Sequence, residues 1–177
     1  MISLIFDVET TGLPCHPNAK PELQPRIIEW GGMLVDEEGT ELAALNFLIN
    51  PGIQLPPEIT KITDITPDDL VGAKFFDEIV EELRPMFSRA DQLIAHNLPF
   101  DSSLMRFDLA RCGKLDGWPW PRVNLCTVQE HAEMWGRRPK LTELYEFYMG
   151  TPLAQTHRAI DDVRALRDVC VKAGVLM

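Results

Sequence analysis

Nowhere in the chain do 18 apolar residues run together, so no stretch reads as a membrane-spanning helix. The first strand-like segment starts at Ile2, leaving no room ahead of it for a basic lead and an apolar signal segment. The expectation is a cytoplasmic protein without a membrane partner. Cysteine is sparse and scattered: Cys15, Cys112, Cys126 and Cys170 form no CxxC pair, and no histidine stands at zinc-finger spacing. Structural zinc is not indicated, and free thiols are expected over a disulfide. Also missing are a P-loop, a GxSxG elbow and an HExxH helix, which leaves a metal-independent phosphatase or hydrolase without support. Positive charge is short as well, with 17 basic residues against 27 acidic ones and a net of -10. Such a surface repels nucleic acid at long range and argues against a nonspecific binder.

What is there suits a folded globule, with 45% apolar and 25% charged residues and no repeat or low-complexity tract. No linker is long enough to split the chain, so residues 1–177 are expected to form one domain. ISLIFDVET reads as a strand. A loop over 13–25 follows, irregular because of Pro14, Pro17, Pro21 and Pro25. RIIEWGGMLVD, the DEEG turn and TELAALNFLIN read as a hairpin that extends a meander. Gly31 and Gly32 inside its first strand signal either close approach by a neighbouring backbone or a bulge. The segment from Asn50 to Thr66 reads as a connection, and Thr66-Pro67-Asp68-Asp69 as a helix start. FFDEIVEELRPMF has helical spacing, QLIAHN is a short fourth strand, Pro99 to Cys112 a helix, and VNLCT a fifth strand. Three more helical patterns complete an α/β domain whose first three strands are antiparallel and whose later strands alternate with helices.

Two carboxylates end the first strand. Alternation puts Ile2, Leu4, Phe6 and Val8 on one wholly apolar face and Ser3, Ile5, Asp7 and Glu9 on the other. Asp7 and Glu9 therefore project side by side, about 7 Å apart, where buried charge must be paired or metal-bound. Asp101 opens the helix after the fourth strand; its plain reading is a first-turn acid that complements the helix dipole. Asp162 lies on the apolar stripe of the last helix with Ala159, Val163, Leu166, Val169 and Cys170, so it points inward. Asp161 falls on the polar face with Arg164, Ala165, Asp168 and Lys172 and is read as solvated. His157 precedes Asp162 by five positions, about 140° around a continuous helix, so it can share a site with Asp162 only from the loop before the helix. Four acids of this kind match two Mg2+ or Mn2+ ions, which favour oxygen ligands.

The runs FDVETTG, HNLPFD and HRAIDD, with Asp7, Glu9, Asp101, His157 and Asp162, resemble the three exonuclease motifs of the DEDDh superfamily, which includes bacterial proofreading subunits and ribonuclease T. Where the tyrosine branch of the superfamily carries Tyr, four residues before the last acid, this chain has Arg158. The resemblance spans residues 7 to 162 and implies a ribonuclease H-like fold with a mixed central sheet flanked by helices. It implies a 3'-5' exonuclease in which Asp7, Glu9, Asp101 and Asp162 hold two Mg2+ or Mn2+ ions and His157 is the general base. It further implies that Thr10, Thr11 and Leu13 hold and wedge the terminal nucleotide, and that His96, Asn97 and Phe100 line its pocket. Against those roles stand turn satisfaction for the threonines, helix capping for Asn97 and core packing for Phe100. Proofreading subunits often carry His-Gly before Ile-Thr, whereas this chain reads Thr60-Lys61-Ile62-Thr63, so a substrate contact at Thr60 is not implied. The chain ends at Met177, without the extended polymerase-binding tail of those subunits, which favours a free-standing nuclease over a subunit of that exact kind, with a polymerase or other replication or repair partner as the alternative. The expected substrate is a single-stranded DNA 3' end, with RNA 3' ends as the alternative. A non-catalytic nuclease-like binding module would be expected to lose an acid or the histidine, and all five are present. Arg137, Arg138 and Lys140 form a basic cluster that either tracks a phosphate backbone or is a solvated loop.

Overall fold

A computed structural model describes residues 1–16 and 18–176. Five strands form one sheet: β1 (Ser3–Thr10), β2 (Ile27–Val35), β3 (Glu41–Leu48), β4 (Gln92–Ala95) and β5 (Val123–Cys126), in the order β3-β2-β1-β4-β5. The first three strands run antiparallel as a meander, and β4 and β5 add in parallel on the other side of β1. This is the mixed sheet that the strand and helix patterns predict. In the turn between β2 and β3, the Asp36 carboxylate accepts the Glu38 and Thr40 N–H groups at 3.1 and 2.7 Å.

Among the described residues seven α-helices accompany the sheet: α1 (Pro57–Thr63), α2 (Pro67–Leu70), α3 (Phe76–Arg89), α4 (Leu98–Arg111), α5 (Thr127–Trp135), α6 (Leu141–Met149) and α7 (Ala159–Ala173). The alternation along β1 sorts the core. Leu4, Phe6 and Val8 pack with Trp30, α3 and the start of α4, where Phe87 meets Phe6, Trp30, Trp118 and Trp120 in an aromatic cluster. Ile5 faces the other way, joining Met33, Val35 and Ile94 under α6 and α7. Thr66 caps α2 through a reciprocal pair with Asp69, so the helix start read there is present, although the helix is only four residues long.

Three details differ from the sequence reading. The connection after β3 contains α1, which begins after Pro56 with Pro57 in its first turn, a position where the missing N–H costs nothing. It ends at Asp64, which takes a left-handed φ of 57°. Ala165 is buried beside Leu166 and does not belong to the polar face of α7, because that helix is covered on more than one side. The loop over 13–25 includes a single 3-10 turn (Pro21–Leu23), and Pro17 lies outside the described residues. Arg111 on α4 pins this loop by donating to the carbonyls of Pro21, Gln24 and Pro25 while paired with Asp108 at 2.7 Å. All four cysteines are free.

Candidate active site

β1 lies where the sheet changes sense, with antiparallel β2 on one side and parallel β4 on the other. Its pairing with β4 stops at Ile5, opposite Ile94, so beyond that point the two strands separate and the acid-bearing end of β1 meets the start of α4. Crevices at such a switch point, beyond the carboxyl ends of parallel strands, are where open α/β sheets bind ligands. Asp7 and Glu9 open into this crevice from β1, and Asp101, 2% exposed, comes down from the first turn of α4.

The fourth acid arrives through a missing side chain. Gly31 pairs with Asp7 across β1 and β2, and a Cβ there would lie 2.7 Å from the backbone carbon of Ala159 and nitrogen of Ile160. Only glycine lets the start of α7 settle so closely on the sheet. Of the two readings of the glycine pair, close approach holds at Gly31, and the β2 register is unbroken there. With α7 seated, Asp162 is 8% exposed and accepts a hydrogen bond from Gln155 at 2.8 Å. Asp161 points outward, bonded to Thr156 and Arg164.

His157 sits in the loop before α7 and takes a left-handed φ of 52°, a conformation uncommon for a residue with a Cβ. It is exposed, yet one of its ring nitrogens lies within 4.8 Å of carboxylate oxygens of both Glu9 and Asp162, which are themselves within 4.8 Å of each other.

An acid that the sequence reading passed over holds this arrangement. Glu29 of β2 is 0% exposed and stands directly across from Glu9. Its carboxylate accepts from the Arg158 Nε at 3.0 and 3.2 Å and Nη2 at 2.9 Å, from the Ala159 N–H at 3.1 Å and from Asn46 at 3.0 Å. Glu29 thus grips both the residue after His157 and the first N–H of α7, which has no intrahelical partner. A lone Glu within the apolar run IIEWGGMLV was the available signal, since a buried charge requires a partner.

The electrostatics of the remaining acids differ sharply. Burial, then the charges of Asp101, Glu9, Asp162 and Glu29, drive the Asp7 carboxyl well above the usual range. Glu9 is raised to about 8 by burial and by Asp162, Glu29 and Asp101, against a weaker pull from Arg158. Burial lifts Asp101 to about 7, opposed by the backbone N–H groups of Val8 and Asp101. Asp162 is raised too, mainly by burial, with the Gln155 hydrogen bond opposing. These oxygen-only acids crowd together without enough positive charge, and a hard divalent cation is the group that suits such a donor set.

The neighbouring candidates are placed as follows. Thr10 Oγ1 donates to the Gly12 carbonyl at 2.8 Å, and Thr11 Oγ1 accepts from the Arg26 N–H at 3.0 Å, so both hydroxyls serve the turn. Leu13 is 80% exposed at its tip. His96 lies 3.0 Å from Thr127 Oγ1 and 3.2 Å from the Pro139 carbonyl, and burial lowers its pKa to about 4. It is therefore neutral at pH 7, and because the carbonyl can only accept, Nε2 carries the proton and Nδ1 accepts from Thr127. Asn97 makes no side-chain cap on α4; its Oδ1 instead accepts from Arg138 at 2.7 Å. Phe100 is half-buried against the core and lines a cavity of about 550 Å3 together with Pro14, Asn97 and Arg138.

Residues 4–170 match the RNase T exonuclease family model. The chain is 31% identical over 164 residues to the DNA polymerase III subunit epsilon of Treponema pallidum, covering 93% of this chain and 72% of that protein. Among solved structures it resembles the nuclease domain of 3'hExo, a DEDDh family member bound to rAMP, with a TM-score of 0.73, 18% identity and coverage of 96% and 90%. It also resembles exonuclease I of E. coli in complex with single-stranded DNA, with a TM-score of 0.76, 19% identity and coverage of 96% and 39%. Both neighbours share the ribonuclease H-like architecture. The chain belongs to the exonuclease family of DEDDh 3'-5' exonucleases, enzymes that depend on divalent metal.

Proposed function

We propose that this exonuclease removes nucleoside 5'-monophosphates from single-stranded DNA 3' ends. The observation that carries the reading is the meeting of Asp7, Glu9, Asp101, Asp162 and His157 in one crevice at the switch point of the sheet. Two Mg2+ or Mn2+ ions held by the four carboxylates would lower the pKa of the attacking water and stabilise the leaving 3' oxygen. His157, reaching in from its loop, takes the proton of that water at an imidazole nitrogen. Such a role is worth about 10² to 10⁴ in rate. Leu13, held out at the tip of a pinned loop, separates the terminal base from its neighbour, while Asn97 and Phe100 border the base. DNA is preferred over RNA because the 31% identical relative is a DNA polymerase subunit. The RNA alternative rests on the bound rAMP of one structural neighbour.

Matched 5'-labelled DNA and RNA oligonucleotides with Mg2+ or Mn2+ test the reading, with EDTA and Asp7→Ala as controls. A ladder shortening from the 3' end of DNA, abolished by both controls, is expected. Faster loss of the RNA would reassign the sugar. Inactivity of the chain alone that is relieved by a replicative polymerase would make it a tethered subunit.

A further inference from the structure

Pro99, Ser102, Ser103 and Arg106 of α4 stand at i, i+3, i+4 and i+7, a single stripe along the helix. This stripe borders two cavities. The first, of about 550 Å3, begins beside the active site at Asn97 and Phe100 and contains Arg138. The second, of about 280 Å3, lies further along α4 and contains Arg106, Trp120 and Asn124. Pro99 and Gln129 line both, so the two adjoin. From Pro99 to Arg106 the helix advances about 10 Å, the length of roughly three stacked nucleotides.

Arg84, Arg111, Arg137, Arg158, Arg164 and Arg167 each lie within 3.1 Å of an acidic side chain. Arg106 and Arg138 have no acidic partner among the described residues, nor do Arg26, Arg89 and Arg122, but only Arg106 and Arg138 line these two cavities. Both are exposed and held by neutral groups, Arg138 by Asn97 and Arg106 by the face of Trp120, 4.5 Å from its ring centroid. Trp120 is in turn braced edge-on by Phe87. A guanidinium over an indole face still has N–H groups to offer, and a guanidinium can take a phosphate in two parallel hydrogen bonds. The basic cluster of the sequence is split accordingly: Arg137 is bound to Glu143 at 2.6 and 2.8 Å, and only Arg138 reaches the path.

We propose that these two cavities form one channel for the strand 5' of the nucleotide being removed, with Arg138 and then Arg106 binding successive backbone phosphates. The proposal rests on the exonuclease reading. It accounts for how a chain of net charge -10 holds nucleic acid: two unpaired arginines act locally along a polar track.

The test compares wild type, Arg106→Ala and Arg106→Ala/Arg138→Ala on a 12-nucleotide DNA and on the p-nitrophenyl ester of thymidine 5'-monophosphate, which has no 5' strand. For Arg106→Ala the ratio of kcat/KM on the 12-mer to that on the ester is expected to fall about tenfold, through KM. Binding of the fluorescent 12-mer, measured by anisotropy with Ca2+ at several salt concentrations, should lose about 0.7 of its logarithmic salt slope per arginine removed. Equal losses on ester and 12-mer, or an unchanged salt slope, would overturn the channel. Failure of the wild type to cleave either substrate would instead sink the exonuclease reading, and anisotropy would still decide the channel on its own.

Discussion

Glu9 and Glu29 face each other on adjacent strands and differ in almost everything but side chain. Glu29 is sealed from solvent and accepts hydrogen bonds from Arg158, Ala159 and Asn46. Glu9 has no hydrogen-bond donor among the described residues, and its pKa is pushed to about 8. One carboxylate has its positive charge built into the fold. The other is left with only a weak pull from Arg158, which supports the metal-binding role proposed for it. The two should respond to loss of charge in opposite directions.

The largest effects are expected at the chemical end. Glu9→Gln should lower kcat by at least about 100-fold, and His157→Ala by about 10² to 10⁴. Yet Glu9→Gln should raise the melting temperature of the metal-free protein by roughly 2–8 °C near pH 7, because it removes a carboxyl that the fold can hold only by keeping it protonated. Thermal melts in EDTA beside steady-state rates in Mn2+ would show both; a lower melting temperature would erase the contrast with Glu29.

Glu29→Gln should do the reverse. It leaves Arg158 and the first N–H of α7 with a weaker acceptor, at a cost of about 2 kcal/mol, or roughly 4–8 °C. The cost is held below that of a fully enclosed pair because the Arg158 side chain is 39% exposed and can rehydrate. Calorimetry of the metal-free variant measures it. If melting is unchanged, Glu29 is not the anchor of α7.

How much of this contrast was legible follows from where its causes lie. Asp7 and Glu9 could be placed on one face because strand alternation is local, and Asp162 could be turned inward because helical periodicity is local. His157 could be assigned to a loop by the same geometry. Glu29 and Arg158 are 129 residues apart, and their pairing depends on strand register and on how closely α7 settles over Gly31. Neither is local. Helix α1 was hidden for another reason: its prolines read as loop residues, and only burial of Leu55, Ile65 and Leu70 around it repays the fold there.

The acid cluster also predicts a pH dependence. Glu9 ordinarily titrates near 4.5 and Asp101 near 3.8, while in the fold they stand at about 8 and about 7. Between those limits the folded chain keeps protons that the unfolded chain has released, so stability falls as pH rises. Their contribution is full below about pH 4 and lost as pH climbs through 7 to 8. In EDTA the melting temperature should therefore decline from pH 5 to 8.5, and Mn2+ should flatten the decline because the cation replaces the protons. Glu9→Gln should reduce the slope. Equal slopes with and without Mn2+ would mean that the four acids do not bind the cation together.

The smallest effect, and the sharpest division between charge and geometry, is expected for Arg158→Lys. The substitution keeps a positive charge beside Glu29, so the Coulombic part of the pair survives and stability should drop by only about 1 kcal/mol. What it removes is the fork: Nε and Nη2 together fix Arg158 against Glu29, and a single ammonium cannot hold that orientation. His157 is the next residue, held at a left-handed φ of 52° between the Thr156–Asp161 hydrogen bond and the Arg158 clamp. Loosening one side lets it relax toward the common β or α regions, away from Glu9 and Asp162. The expected result is a roughly 10-fold fall in kcat with KM and Mn2+ affinity nearly unchanged. A matching fall in Mn2+ affinity would instead mean that the clamp serves Asp162 through the seating of α7, and that His157 holds its place without it.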